Sequence, residues 1–154
     1  MGALASHRNE ELTMQRATGT FKVASFTPTD LAPEPAIDAG LPVTVSRMEK
    51  RFEGDICGRS ATLFTAAFDQ QRGVGTYVAT ESFAGSVHGA AGSFVFVHSA
   101  TATPSARTPS DRAHEFFLIV PASGTGDLAG LTGTGAIVID ADGTHRIELD
   151  YELS

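Results

Sequence analysis

Residues 145–153 read HRIELDYEL, and apolar and polar side chains alternate along this whole stretch. One face would carry Ile147, Leu149, Tyr151 and Leu153, and the other Arg146, Glu148, Asp150 and Glu152. A repeat of two residues is that of a β-strand with one side buried and the other in water. The stretch therefore predicts an amphipathic antiparallel strand.

The same alternation, with more interruptions, extends back through the chain to residue 17. Together with the last strand it predicts eight strands, at 18–26, 43–52, 57–68, 74–83, 93–98, 115–120, 135–139 and 145–153. Gly, Pro, Asp and Ser punctuate them, and no segment after residue 16 has convincing helical periodicity. The predicted fold is all-β, a single eight-stranded antiparallel β-barrel over residues 17–154. Such a barrel encloses a core or one small ligand.

A short motif of the form G-[DS]-[ILV]-x-G occurs at 54–58, 85–89 and 126–130. Gly supplies positive φ at a turn, and Asp or Ser can bond its own backbone there. The motif is interpreted as a repeated strand–turn–strand unit. Two further stretches, 27–42 and 99–112, are rich in Pro and read as long loops, either functional or simply connecting.

Composition limits the classes of partner. The 154 residues carry a formal net charge of −7, which disfavours duplex nucleic acid and anionic membranes. The single cysteine, Cys57, precludes an internal disulfide and fits a reducing compartment. No apolar stretch approaches a membrane span, and residues 1–16 lack a signal-peptide layout. We expect a cytoplasmic protein whose residues 1–16 are a flexible or added tail.

The stretch 120–133, VPASGTGDLAGLTG, resembles the Gly-rich hairpin of allene oxide cyclases and dirigent proteins. It is closer still to an uncharacterised bacterial family with the same barrel. Five blocks also resemble that family and follow in its order: ATGTF at 17–21, FEGD at 52–55, ESFAG at 81–85, GSF at 92–94 leading to His98, and LDY at 149–151. The resemblance implies a barrel with its ligand inside, acting on a reactive apolar molecule, and a homo-oligomer associating through the barrel exterior.

Glu81 and His98 are the candidate catalytic residues. If Phe83 pairs with Phe94 across the turn at 85–92, then Glu81 faces Phe96, and His98 is its diagonal neighbour on the same face. A carboxylate and an imidazole among aromatic rings inside a barrel could move protons. A structural hydrogen bond in the core, or an outward-facing pair, is the alternative. The residues predicted to line the pocket are Tyr77, Phe83, Phe94, Phe96, Leu149 and Tyr151.

Other kinds of site lack a motif. There is no P-loop and no G-x-S-x-G elbow, and the glycines at 124–126 read as a turn because no βαβ unit follows. The five histidines include no H-x-H pair, so neither metal nor cofactor is expected.

The leading hypothesis is a cofactor-independent cyclase or isomerase acting on an apolar small molecule derived from a polyketide or fatty acid. A non-catalytic binding barrel and a structural, oligomer-forming domain are the alternatives. The outer faces of the strands at 93–98 and 115–120 are also apolar, which predicts a homo-oligomer, a dimer or trimer.

Overall fold

A computed structural model describes residues 13–103 and 112–154. Eight strands follow one another along the chain: β1 Gln15–Pro28, β2 Val43–Gly54, β3 Ile56–Asp69, β4 Val74–Val87, β5 Ala90–Ala102, β6 Ala113–Ile119, β7 Leu131–Ile139 and β8 His145–Leu153. Each strand pairs antiparallel with the next, and β1 pairs with β8, so the sheet closes into a ring. The only helix in the described residues is one 3-10 turn, Gly126–Leu128, and none there could cross a membrane.

The eight strands lie where the alternation predicted them, and most are longer. β1 begins at Gln15, two residues before the predicted domain, and Arg16 pairs with Asp150 of β8. β5 continues to Ala102, so the first residues of the predicted loop 99–112 belong to a strand. Residues 104–111 of that loop and 1–12 of the predicted tail lie outside the described residues.

The three glycine motifs form two kinds of connection between strands. At 54–58 and 85–89 the motif lies at tight turns, β2–β3 and β4–β5, as predicted. At 126–130 it forms the 3-10 turn and leads into β7. β6 and β7 pair antiparallel on either side of this segment, so it still connects neighbouring strands, and its Leu128 is fully buried in the core. An apolar residue placed between two turn glycines can fill the end of a barrel that strands alone leave open.

Inward side chains from all eight strands form the core, and aromatic rings run through it. Phe52 packs edge-on against Phe83, and tilted contacts join Phe83 to Phe94 and Phe94 to Phe96. The ring centroids in these three pairs are 5.1–5.9 Å apart. Phe96 then stacks on Phe117 at 4.9 Å. Parity explains the arrangement, because every second residue of a strand points into the ring. The polar residues on these same faces are buried with the rings.

Glycine is required at position 58, where β3 runs directly against the backbone of β4. Gly58 lies opposite Gly85 with φ +150°, and a Cβ there would lie 2.2 Å from the carbonyl oxygen of Ala84. We expect Gly58→Ala to lower the free energy of unfolding by about 1–3 kcal/mol, because strained backbone of this kind costs that much. Urea unfolding measures it, with Gly40→Ala as control, since nothing lies within 4 Å of a Cβ at Gly40. Equal stability of the two variants would contradict this account.

Candidate functional site

Glu81 and His98 meet inside the ring through the register predicted from sequence. Phe83 pairs with Phe94, Glu81 with Phe96, and Ala79 with His98. Glu81 is fully buried and His98 is 3% exposed. The His98 Nε2 and Glu81 Oε1 atoms are 2.9 Å apart. The two side chains are therefore diagonal partners in direct hydrogen-bond contact.

Two residues that the sequence reasoning did not select complete the surroundings of Glu81. Lys50 of β2 donates from Nζ to Glu81 Oε1 at 2.8 Å, and Ser60 of β3 donates to Oε2 at 2.6 Å. Burial acts to raise the pKa of Glu81, but the hydrogen bond from His98, the charge and hydrogen bond of Lys50, and the Ser60 hydroxyl outweigh it. The result is a pKa of about 2. Glu81 is therefore a fixed anion at neutral pH.

Lys50 is the counter-ion of Glu81 and is almost as deeply buried, with its side chain 5% exposed. Burial lowers its pKa, and the ion pair with Glu81 opposes that effect. Its Nζ also lies 4.8 Å from the centroid of the Phe21 ring, a cation–π position. A buried charge is tolerated only when it is paired in this way. The two residues therefore form one electrostatic unit.

The fixed charge on Glu81 determines which nitrogen of His98 carries the proton. A carboxylate only accepts hydrogen bonds, so Nε2 must donate to it. Burial lowers the pKa of His98, although the hydrogen bond to Glu81 opposes this, and a neutral ring then has a free lone pair on Nδ1. That nitrogen lies 2.9 Å from the Tyr77 hydroxyl, which therefore donates to it. Glu81, His98 and Tyr77 form a carboxylate–imidazole–phenol relay.

Tyr77 lies at the less buried end of this relay, beside Arg112. The Arg112 Nη2 atom donates to the Tyr77 hydroxyl oxygen, and its guanidinium carbon lies 5.4 Å from the Tyr77 ring centroid. Burial raises the pKa of Tyr77, and the Arg112 charge opposes this. The phenol is therefore neutral at rest. Its oxygen lies between His98 Nδ1, which can accept the phenol proton, and the Arg112 guanidinium, whose charge would stabilise the oxygen left behind.

The predicted pocket residues all lie inside the ring, but only some approach the relay. Phe96 stacks on His98 with centroids 5.7 Å apart, and Tyr77 belongs to the relay itself. Phe83, Phe94 and Leu149 are no more than 2% exposed and pack in the apolar core. Tyr151 lies at the other end of the barrel, where its hydroxyl contacts His88 Nδ1 at 2.5 Å on the β4–β5 turn.

Sequence reasoning selected neither Ser60 nor Arg112 as a site residue, and it placed Lys50 and Arg47 on opposite faces of the second strand without deciding which one points inward. For Lys50 a signal existed, because it shares its strand face with Met48 and Phe52, whereas Arg47 lies on the outer face and is exposed. Ser60 carries no comparable signal, since serine is common on either face of a strand. Arg112 precedes β6 and lies at the end of a stretch that read as loop. In the described residues no three histidine, cysteine or acidic side chains are grouped so as to hold a metal ion.

The fold and this site define a closed eight-stranded β-barrel protein with a buried Lys–Glu–His–Tyr network. The chain belongs to the family described as protein of unknown function (DUF3224), whose model matches residues 17–151. A DUF3224 protein of unknown function from Shewanella oneidensis MR-1 has a crystal structure similar to this one, with a TM-score of 0.75 and 31% sequence identity. The similarity covers 92% of this chain and 99% of that one. No curated protein matches the chain.

Proposed function

We propose that this protein is a cofactor-independent isomerase or cyclase that moves a proton on a small, largely apolar molecule. The observation that carries the proposal is the Glu81–His98–Tyr77 relay. Its order is carboxylate, imidazole and hydroxyl, the order that activates hydroxyl groups in hydrolytic triads. In this relay the activated group is a phenol, which suits proton abstraction.

Tyr77 is the catalytic residue in this proposal. Its hydroxyl oxygen takes a proton from the substrate while its own proton passes to His98 Nδ1. The imidazolium that forms lies against the Glu81 carboxylate, and the phenol oxygen lies against the Arg112 guanidinium. Return of the proton to a different atom of the substrate is an isomerisation. Attack of the resulting carbanion on an electrophilic carbon of the same molecule is a cyclisation.

In this proposal Glu81 supplies hydrogen bonds and charge and does not transfer protons. With a pKa of about 2 it is a poor proton acceptor at neutral pH, so it positions and stabilises His98 rather than transferring protons. His98 accepts the Tyr77 proton, but it touches Tyr77 and not the substrate, so it acts on the substrate only through Tyr77. In this proposal the residue that takes the proton from the substrate is Tyr77, which the sequence placed only in the pocket lining.

The assay uses a panel of ketones, enones, epoxides and isolated alkenes incubated with the protein in deuterated water. Proton NMR detects exchange of carbon-bound hydrogen, and mass spectrometry with chromatography detects isomers of unchanged mass. We expect catalysed exchange or isomerisation of at least one class. If no member of the panel reacts faster than in buffer but one binds, the non-catalytic binding barrel is the better account. That alternative is favoured by the mutual hydrogen bonding of Lys50, Ser60, Glu81 and His98, which a purely structural network would also have.

The likeness to allene oxide cyclases and dirigent proteins is part of the same proposal. The closed eight-stranded ring and the interior site support it. The proposed reaction also requires little side-chain chemistry: an interior that fixes the conformation of the substrate, and one proton relay. Proximity and orientation inside a barrel account for much of the rate in reactions of this kind. A cytoplasmic location is proposed on the sequence argument from the single cysteine, Cys57, which fits a reducing compartment.

The outer face of the ring supports a further part of the proposal, self-association into a dimer or trimer. The outward positions of β4 and β5 carry no charged residue: Thr76, Val78, Thr80, Ser82, Ala84, Ser93, Val95, Val97, Ser99 and Thr101. Leu63 and Leu118 continue the face on either side in the same row, and both are more than a third exposed. Near a symmetry axis a residue meets its own copy, so an uncharged face avoids the repulsion that a charged one would meet.

We expect the native protein to show an oligomeric mass by light scattering at micromolar concentration. The pair of substitutions Val78→Glu and Leu118→Glu should yield the monomer, because each would place like charges in a packed interface. The control is Ile37→Glu, in a loop where the side chain is 81% exposed. A monomeric native protein would remove this part of the proposal.

A further inference from the structure

Two buried donor groups near the relay have no hydrogen-bond partner among the described residues. They are the Thr62 hydroxyl and the Arg112 Nε–H. Buried polar atoms are nearly always paired, so each such exception requires an explanation. A guanidinium N–H can only donate, which means that the missing partner of Arg112 is an acceptor. Glu115 Oε2 does not fill this role, because it lies 3.9 Å from Arg112 Nε.

The charges around these donors indicate what kind of acceptor fits. Glu81 is already engaged by Lys50, Ser60 and His98. The other carboxylate nearby, Glu115, accepts from the backbone N–H of Ile137 at 2.8 Å. Lys50 and Arg112 therefore keep N–H groups beyond those that the carboxylates of the described residues use. Within residues 13–103 and 112–154, an oxygen with full or partial negative charge is the ligand atom that this end of the barrel lacks.

We infer that Arg112 is an oxyanion-binding residue and that the substrate is an enolisable carbonyl compound. This inference rests on the proposed function and names its substrate class. The α-carbon proton goes to the Tyr77 oxygen, and the Tyr77 proton goes to His98 Nδ1. The electron pair of the broken C–H bond forms a C=C bond, and the carbonyl π pair moves to oxygen. Arg112 Nε–H donates to the enolate oxygen that results, and Thr62 is a second donor deeper in the ring.

Preorganised donors of this kind are most effective where charge develops in a site partly closed to water. The Arg112 side chain is 15% exposed, and Thr62 is 4% exposed and lies opposite Glu81 in the β3–β4 register. Arg112 also contacts the Tyr77 hydroxyl oxygen. The base and the oxyanion donor are therefore adjacent, as an α-proton and its carbonyl oxygen are in the substrate.

The probe for this inference is 4-nitrophenol, whose phenolate oxygen resembles an enolate oxygen and whose ionisation changes its visible absorbance. We expect the protein to bind the phenolate in preference to the phenol, so that added protein increases the phenolate absorbance at constant pH. Arg112→Gln should weaken phenolate binding by about 10- to 100-fold, as expected for one hydrogen bond to a charged group. Thr62→Val, which keeps the shape, should weaken it less. Arg146→Gln, at an exposed arginine paired with Asp140 on the outer surface, is the matched control.

Binding of 4-nitroanisole as tightly as 4-nitrophenol, or binding of phenolate that is unchanged in Arg112→Gln, would overturn the inference. The exchange assay separates this from the proposed function. If ketone exchange is catalysed but insensitive to Arg112→Gln, the oxyanion role falls and the enzyme proposal stands. If phenolate binding depends on Arg112 and no compound in the panel reacts, the oxyanion site stands and the enzyme proposal falls.

Discussion

Glu81→Gln is expected to lower the free energy of unfolding by about 3–5 kcal/mol, the usual cost of removing one partner from a buried ion pair. Glutamine keeps an acceptor for His98 and can still bond Ser60, so the main loss is the charge that compensates Lys50. Adding Lys50→Met should recover most of the loss, because the uncompensated charge is then gone. Urea denaturation of the single and double variants measures both effects.

The matched control for this experiment is Asp150→Asn, which breaks the pair with Arg16 on the outer surface. The Arg16 side chain is 61% exposed, and ion pairs in water contribute little, so the stability should barely change. If Glu81→Gln were as mild as this control, Lys50 would be neutral in the folded protein. The account of the site as a charged network would then be wrong.

The same ion pair sets the response of stability to acid. The pKa of Glu81 is lowered from its ordinary value of 4.5 to about 2 in the folded protein. Its contribution is therefore complete above about pH 4.5 and is lost as the pH falls toward 2. In the double variant that lacks Lys50 and Glu81 this part of the acid dependence should be absent.

The sequence predicts the β4–β5 region well because the physics there is local. A short turn sets the pairing, the pairing fixes the parity, and parity places Glu81 and His98 on one inner face. The position of Tyr77 follows from the same rule, but its hydroxyl contact with His98 does not, since that depends on how long side chains reach along the barrel. The predicted pocket residues on β8 also point into the ring, yet the Tyr151 hydroxyl contacts His88 at the end of the barrel opposite to Tyr77.

The rest of the site depends on contacts between strands that are distant in sequence and come together only when the sheet closes into a ring. No single stretch of sequence reveals these contacts. Lys50 comes from a strand two places away in the ring, and Arg112 comes from a residue outside regular structure. That Lys50 is buried could be inferred only by assuming that Phe52 points inward, because Lys50 lies two residues before it on the same face of β2. The third glycine motif shows the same limit, because its 3-10 turn and the burial of Leu128 depend on the strands around it.

Tyr77→Phe is expected to reduce the rate of catalysed proton exchange by about 10²–10⁴-fold, the usual contribution of a general acid or base. The fold should persist, because the ring can still stack on Phe64 with centroids 4.8 Å apart, while the buried His98 Nδ1 that loses its donor lowers the free energy of unfolding by about 1–3 kcal/mol. The rate in the native protein should also fall as the pH drops through the pKa of His98, which burial places below 6.5, since a protonated imidazole cannot accept the phenol proton. Rates from NMR exchange at several pH values measure both effects.

Tyr151→Phe is the control because it removes a phenol that also bonds a histidine, His88, at the other end of the barrel. An effect confined to Tyr77→Phe would therefore locate the chemistry at the Arg112 end of the barrel.

The variant His98→Gln tests whether the Tyr77 phenol or the His98 imidazole takes the proton from the substrate. If Tyr77→Phe keeps full activity and His98→Gln loses it, the imidazole itself takes the substrate proton and the phenol has no catalytic role. If Tyr77→Phe loses activity and His98→Gln retains a part that rises with pH, the phenol is the base, because hydroxide can ionise it without the relay.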